Sequence, residues 1–163
     1  MNNQSIMSNL PDHSRVWVYT SSRPFTNFEI SEIESFGADF VQAWRVHGSA
    51  IAADLKVLRN RFIVIAADEN IASVSGCGID SSIGFIKGLE DRFKVSLLDK
   101  LNLGYVDTTG NIEVLPMMQF QQKMDAREIT ERTVVFNNMI ETLGELRSNW
   151  QTPLIESWHK QLL

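Results

Sequence analysis

Phe62-Ile63-Val64-Ile65-Ala66-Ala67 is the longest unbroken apolar run in the chain, and its reading decides the fold. The run has the length of a strand, and an apolar side chain at every position, rather than at alternate ones, describes a strand covered on both faces. Just upstream, Asp54-Leu55-Lys56-Val57-Leu58 reads as its hairpin partner across the short basic tip Arg59-Asn60-Arg61. A central strand needs a neighbour at each edge and a layer on each face, and the rest of the chain has to supply them.

Arg15-Val16-Trp17-Val18-Tyr19-Thr20 is β-branched and aromatic between turn-forming flanks, which predicts a first strand. Thr26 and Glu29 have capping-box spacing, with Phe25 and Ile30 placed as a hydrophobic staple, so a helix should begin near Asn27. Its apolar stripe, Ile33, Phe36, Phe40 and Trp44, continues to His47 before Gly48 stops it. After the Asp68-Glu69-Asn70 turn, Ile71 to Gly76 reads as a strand, with Asp80 or Ser81 capping a helix that carries Ile83, Ile86, Leu89 and Phe93. Leu101–Val106 and Asn111–Leu115 bracket Asp107-Thr108-Thr109-Gly110 as a second hairpin, ended by Pro116. A short helix over Met117 to Met124 and a strand over Thr133 to Phe136 follow. Asn138 with Glu141 repeats the capping-box spacing before a helix bearing Ile140, Leu143, Leu146 and Trp150, and Thr152-Pro153 precedes a last short helix, Leu154 to Gln161.

This order is not a regular βαβα alternation. It predicts a single α+β domain over residues 15–163, with a mixed or antiparallel sheet and packed helices, and residues 1–14 as a polar leader. A ferredoxin-like core with additions is the specific form considered.

The chain has 163 residues, 44% hydrophobic and 21% charged, which argues against disorder and leaves room for one real core. A net charge of −5 disfavours nucleic acid and anionic lipid as partners. The single cysteine cannot close an intrachain disulfide and fits a reducing, cytoplasmic setting. The first residues lack the basic and apolar regions of a signal peptide, and no apolar run approaches the roughly 20 residues that cross a bilayer.

The segment most suggestive of chemistry is Ser75-Gly76-Cys77-Gly78-Ile79-Asp80-Ser81-Ser82. Read as a loop running into a helix, it would let backbone amides at Gly76 and Gly78, with the hydroxyls of Ser81 and Ser82, hold a small anion at the helix's positive end. Cys77 there would be a candidate nucleophile, with His47 as base and Asp80 as orienter, in a cysteine- or acid-dependent hydrolase or transferase. The bland reading makes Cys77 packing, the glycines a turn and the serines caps. Gly78 and Gly84 have five residues between them where a phosphate loop has four, and Phe85-Ile86 stand where it needs Lys and Ser or Thr, so this is no Walker motif. Ser81 likewise stands where a dinucleotide fingerprint needs its third glycine. The histidines, His13, His47 and His159, make no close ligand pair, and no metal site is expected. Asp68 and Glu69 read as a turn, and Lys56, Arg59 and Arg61 as edge protection rather than a nucleic-acid patch. The leading expectation is a binding domain that takes a protein partner or a small anionic ligand at Gly76–Ser82.

Trp17-Val18-Tyr19, Arg23-Pro24-Phe25, Trp44 with His47-Gly48, Ser75-Gly76-Cys77 with Ile79-Asp80, Phe85-Ile86-Lys87 with Leu89-Glu90, and Ser157-Trp158-His159 together carry a resemblance. From about Arg15 onward the chain resembles a family of short bacterial proteins often labelled ABC transporter ATPase. The resemblance implies no defined reaction, because ATP hydrolysis of that type requires a Walker loop, and only Ser75-Gly76-Cys77-Gly78 is faintly similar to a transporter signature motif.

Overall fold

A computed structural model describes residues 6–46, 48–70 and 73–163. The elements in order are β1 (Arg15–Thr20), α1 (Asn27–Ala43), β2 (Arg45–Val46), β3 (Ser49–Ala50), β4 (Ala52–Leu58), β5 (Phe62–Asp68), α2 (Gly76–Phe93), β6 (Asn102–Val106), β7 (Ile112–Pro116), α3 (Met117–Asp125), β8 (Val134–Phe136), α4 (Leu143–Asn149) and β9 (Gln151–Pro153). Two 3-10 turns, Leu154–Glu156 and Trp158–Leu162, close the chain. All strand pairs are antiparallel, so the fold is α+β.

The first sheet has the order β1-β5-β4, with the apolar run at its centre. Phe62 to Ala67 are each 0% exposed. Alternate side chains serve two cores: Ile63, Ile65 and Ala67 meet α1 and α2 on one face, and Phe62, Val64 and Ala66 meet α4 on the other. The hairpin tip turns through positive φ at both Arg59 and Asn60, the geometry that suits a two-residue hairpin loop. Glu34 on α1 accepts the Val57 N–H at 3.0 Å, covering part of the free edge of β4. Arg61 is buried and donates to the Ser21 and Ser22 carbonyls at 3.2 Å, so that member of the basic tip is structural.

β1, α1, β4, β5 and α2 are five of the six elements of a ferredoxin-like unit, in the matching sheet order. The sixth strand would pair with the outer edge of β1. Here β6 instead joins a second sheet, β7-β6-β8-β9, which with α3 and the C-terminal turns builds a third core around Tyr105, Phe120, Val135 and Leu154.

Several boundaries differ from the sequence reading. Residues 73–75 form no strand, and Ile71 lies outside the described residues. α1 ends at Ala43, with Trp44 as its C-cap. α4 starts at Leu143, capped by Thr142 and Glu145, because residues 141–143 first pair with β1: Val16 N–H donates to the Glu141 carbonyl at 3.0 Å and Leu143 N–H to the Ser14 carbonyl at 2.8 Å. Thr152-Pro153 lies in β9, and the N-cap of the 3-10 turn that follows is Pro153 rather than Thr152, without a side-chain bond. Ile6, Met7 and Leu10, within the stretch read as a leader, are buried in the second core, where Arg147 donates to the carbonyls of all three.

Candidate functional site

The sequence placed a ligand-holding loop at Gly76–Ser82, and the structure replaces it with helix. α2 begins at Gly76 and runs for 18 residues, so Cys77, Gly78, Asp80, Ser81 and Ser82 all lie in its first two turns. The N-cap is Ser75, not Asp80 or Ser81, and it makes no side-chain cap bond. The Ser81 hydroxyl donates to the Cys77 carbonyl at 3.1 Å and the Ser82 hydroxyl to the Ile79 carbonyl at 2.7 Å, which turns both toward their own helix. Ser82 is buried and also meets the Tyr19 hydroxyl, whose pKa burial raises and that hydrogen bond lowers in part. Cys77 is exposed rather than packed in a core. Asp80 is exposed as well and makes no hydrogen bond with Cys77, and His47 lies outside the described residues.

Two helices meet beside this start. Trp44, 3% exposed at the end of α1, donates its indole N–H to the Gly78 carbonyl at 3.1 Å. Its ring continues an aromatic series from Trp17 (6.1 Å) through Phe40 (5.2 Å). Phe40 then stacks on Phe85 of α2, ring centres 4.6 Å apart and 8° from parallel. That stack floors an open groove of about 550 Å³ between the outer faces of α1 and α2, walled by Phe36, Gly84 and Gly88. Phe28 on α1 is 73% exposed. At the rim, Arg92 lies over the Phe36 ring at 4.9 Å and bridges to Glu32 at 2.8 Å. Asp39 lines the groove without an ion pair among the described residues.

Gly84 and Gly88 went unnoticed as a pair in the sequence, where Gly84 mattered only to the failed phosphate-loop test. The available signal was two glycines one turn apart inside an apolar-periodic helix, flanking Phe85. A Cβ at either position would meet nothing within 4 Å among the described residues, so no packing among them requires glycine there. At Gly37 the opposite holds, since a Cβ would lie 2.7 Å from Leu55 Cδ2.

The other candidates resolve into structure. Asp68 accepts the Asn70 N–H at 3.0 Å and meets His13 Nε2 at 3.1 Å; the Asn70 bond and then His13 hold its pKa below the ordinary value. Glu69 accepts the Val74 N–H at 3.1 Å. Among the described residues, no three His, Cys, Asp or Glu side chains are placed to hold a metal ion, and no helix is long and apolar enough to cross a membrane. Comparison with known proteins found no matching family model, no similar curated protein and no similar solved structure.

Proposed function

We propose that this chain works by binding another polypeptide, and that the outer face of α1 and α2 makes the contact. The observation that carries the reading is the pair of exposed groove glycines. Each costs the helix about 0.8–1 kcal/mol relative to alanine. Nothing among the described residues uses the space they leave, whereas a docked helix would approach closely over that bare backbone and set large apolar side chains on Phe36, Phe40 and Phe85.

The occupant is an amphipathic helical segment with a basic flank. Glu29 and Glu32 of α1 are held by Arg23 and Arg92, and Glu34 accepts from Val57, so Asp39, without an ion pair among the described residues, is the groove carboxylate that a basic flank would meet. This fits a binding domain of the cytoplasm, the setting expected from the single thiol, within the family of short bacterial proteins that the chain resembles. A Leu/Lys amphipathic helical peptide, followed by fluorescence anisotropy, tests the reading. Saturable binding, weakened at least tenfold by Gly88→Arg and absent for the Leu/Glu counterpart, supports it. Equal binding of both peptides, or binding indifferent to Gly88→Arg, contradicts it.

A second reading rests on the exposed Cys77 at the start of α2 beside an N-cap without a side-chain bond, which leaves three helix amides open to a small anion. It keeps Cys77 as the group to test, through its alkylation.

A further inference from the structure

The departure of β6 from the first sheet leaves the outer edge of β1 only half covered. Near its start, Val16 bonds the Glu141 carbonyl. Val18 and Thr20 share the orientation of Val16, two and four residues on, and so aim their N–H and C=O groups away from β5. No backbone partner meets these groups among the described residues, although Val18 is 8% exposed and Thr20 4%. Sheltered main-chain groups are paired in nearly all native structures, so this edge calls for an occupant.

A cleft of about 70 Å³ lies there, in the slot a sixth ferredoxin-like element would fill, with Asn102 and Gly104 of β6 as its far wall. That volume holds roughly five water molecules or one ligand of similar bulk. Asn138 cannot fill the slot, because its Nδ2 donates to the Thr20 hydroxyl at 2.8 Å and its Oδ1 accepts from the Trp150 indole at 2.9 Å. Asp99 and Lys100, adjacent, exposed and opposite in charge, stand at its mouth: Asp99 Oδ1 accepts the Leu101 N–H at 2.9 Å, and the Lys100 ammonium lies 5.6 Å from the centre of the Tyr19 ring with no ion pair among the described residues.

We infer that this cleft is a binding site for a small zwitterionic α-amino acid of glycine or alanine size. The chemistry matches group for group. The β1 edge offers a carbonyl to an ammonium group and amide N–H groups to a carboxylate, while Asp99 and Lys100 supply the complementary charges. The site shares no residue with the α1–α2 groove, so the two proposals stand or fall separately.

The test is a titration of the ¹⁵N-labelled full chain with glycine and L-alanine, followed by amide chemical shifts. The expected result is saturable movement of the Val18 and Thr20 amides, weakened about tenfold by Lys100→Ala and abolished by Asn102→Leu, with the remaining amide shifts of each variant checking that it is folded. Glycinamide and N-acetylglycine, each lacking one charge, should fail to saturate these amides. Equal binding of N-acetylglycine would mean that the slot takes a peptide carboxyl terminus and would overturn the proposal. So would the absence of movement at Val18 and Thr20, which leaves ordered water as the occupant.

Discussion

The indole N–H of Trp44 is tied to the carbonyl of Gly78 at 3.1 Å, joining the end of α1 to the first turn of α2 with both residues buried. This bond fixes where the two helices diverge and hence the geometry of the groove beyond them. Trp44→Phe keeps an aromatic body but leaves that carbonyl with one partner fewer. The expected cost is about 1–2 kcal/mol of stability by urea denaturation, with faster amide exchange at Cys77 to Ile79. Exchange unchanged in that turn would show that Trp44 is only filling space.

The glycines divide by position. Gly84→Ala and Gly88→Ala should each stabilise the isolated chain by about 0.5–1 kcal/mol, since both sit in a helix interior with open space around them. Gly37→Ala should destabilise it by about 1–3 kcal/mol through overlap with Leu55. Thermal unfolding of the three variants checks both signs. Stabilisation at Gly84 and Gly88 accompanied by weaker peptide binding would tie those residues to docking.

Much of this architecture is legible in the sequence, and the failures have physical causes. The Phe62–Ala67 run announces a strand buried on both faces, and the Thr26–Glu29 capping box places the start of α1, where both bonds form. The start of α2 misleads because Gly-Cys-Gly normally punctuates a turn. The low helix propensity of that stretch is overridden by the Trp44 bond and by burial of Gly78 and Ser82. Asn138–Glu141 and Thr142–Glu145 share one spacing, and local sequence cannot choose between them. The pairing of residues 141–143 with β1 decides, and that long-range bond leaves no local mark. The groove is invisible for a related reason: the apolar spacing of Phe36, Phe40 and Phe85 predicts burial, and only the packing angle of two helices shows how much stays open.

His159 gives the fold an acid-sensitive point. Its side chain is fully buried, with Nδ1 bonded to the Ser157 hydroxyl at 2.6 Å and Nε2 without a partner among the described residues. Burial depresses its pKa from 6.5 to about 4. A depressed folded-state value means that the unfolded chain takes up the proton more readily. The contribution of neutral His159 is therefore full above pH 6.5 and lost as pH falls toward 4, up to about 3 kcal/mol. Glu29, held at about 2 chiefly by its bond to Arg23, adds a second loss as pH falls below 4.5. Urea midpoints for the parent chain and His159→Phe should diverge in slope only in the upper window. Parallel profiles there would contradict the assignment to His159.

Cys77 should react with iodoacetamide in the folded chain without prior unfolding, because it is exposed. Stopping the reaction at intervals and weighing the intact protein gives the rate. Labelling only in denaturant would contradict its placement on the surface of α2. Protection of Cys77 by phosphate, in the absence of the peptide, would favour the anion reading of the helix start.

The footprint of a bound peptide tests the α1–α2 face directly. With the Leu/Lys peptide added to the ¹⁵N-labelled chain, amide shifts should concentrate at Phe36, Asp39, Phe40, Gly84, Phe85 and Gly88, leaving the β7-β6-β8-β9 sheet unmoved. A footprint centred instead on the start of α2, on the edge of β1 or on the second sheet would contradict the proposed function.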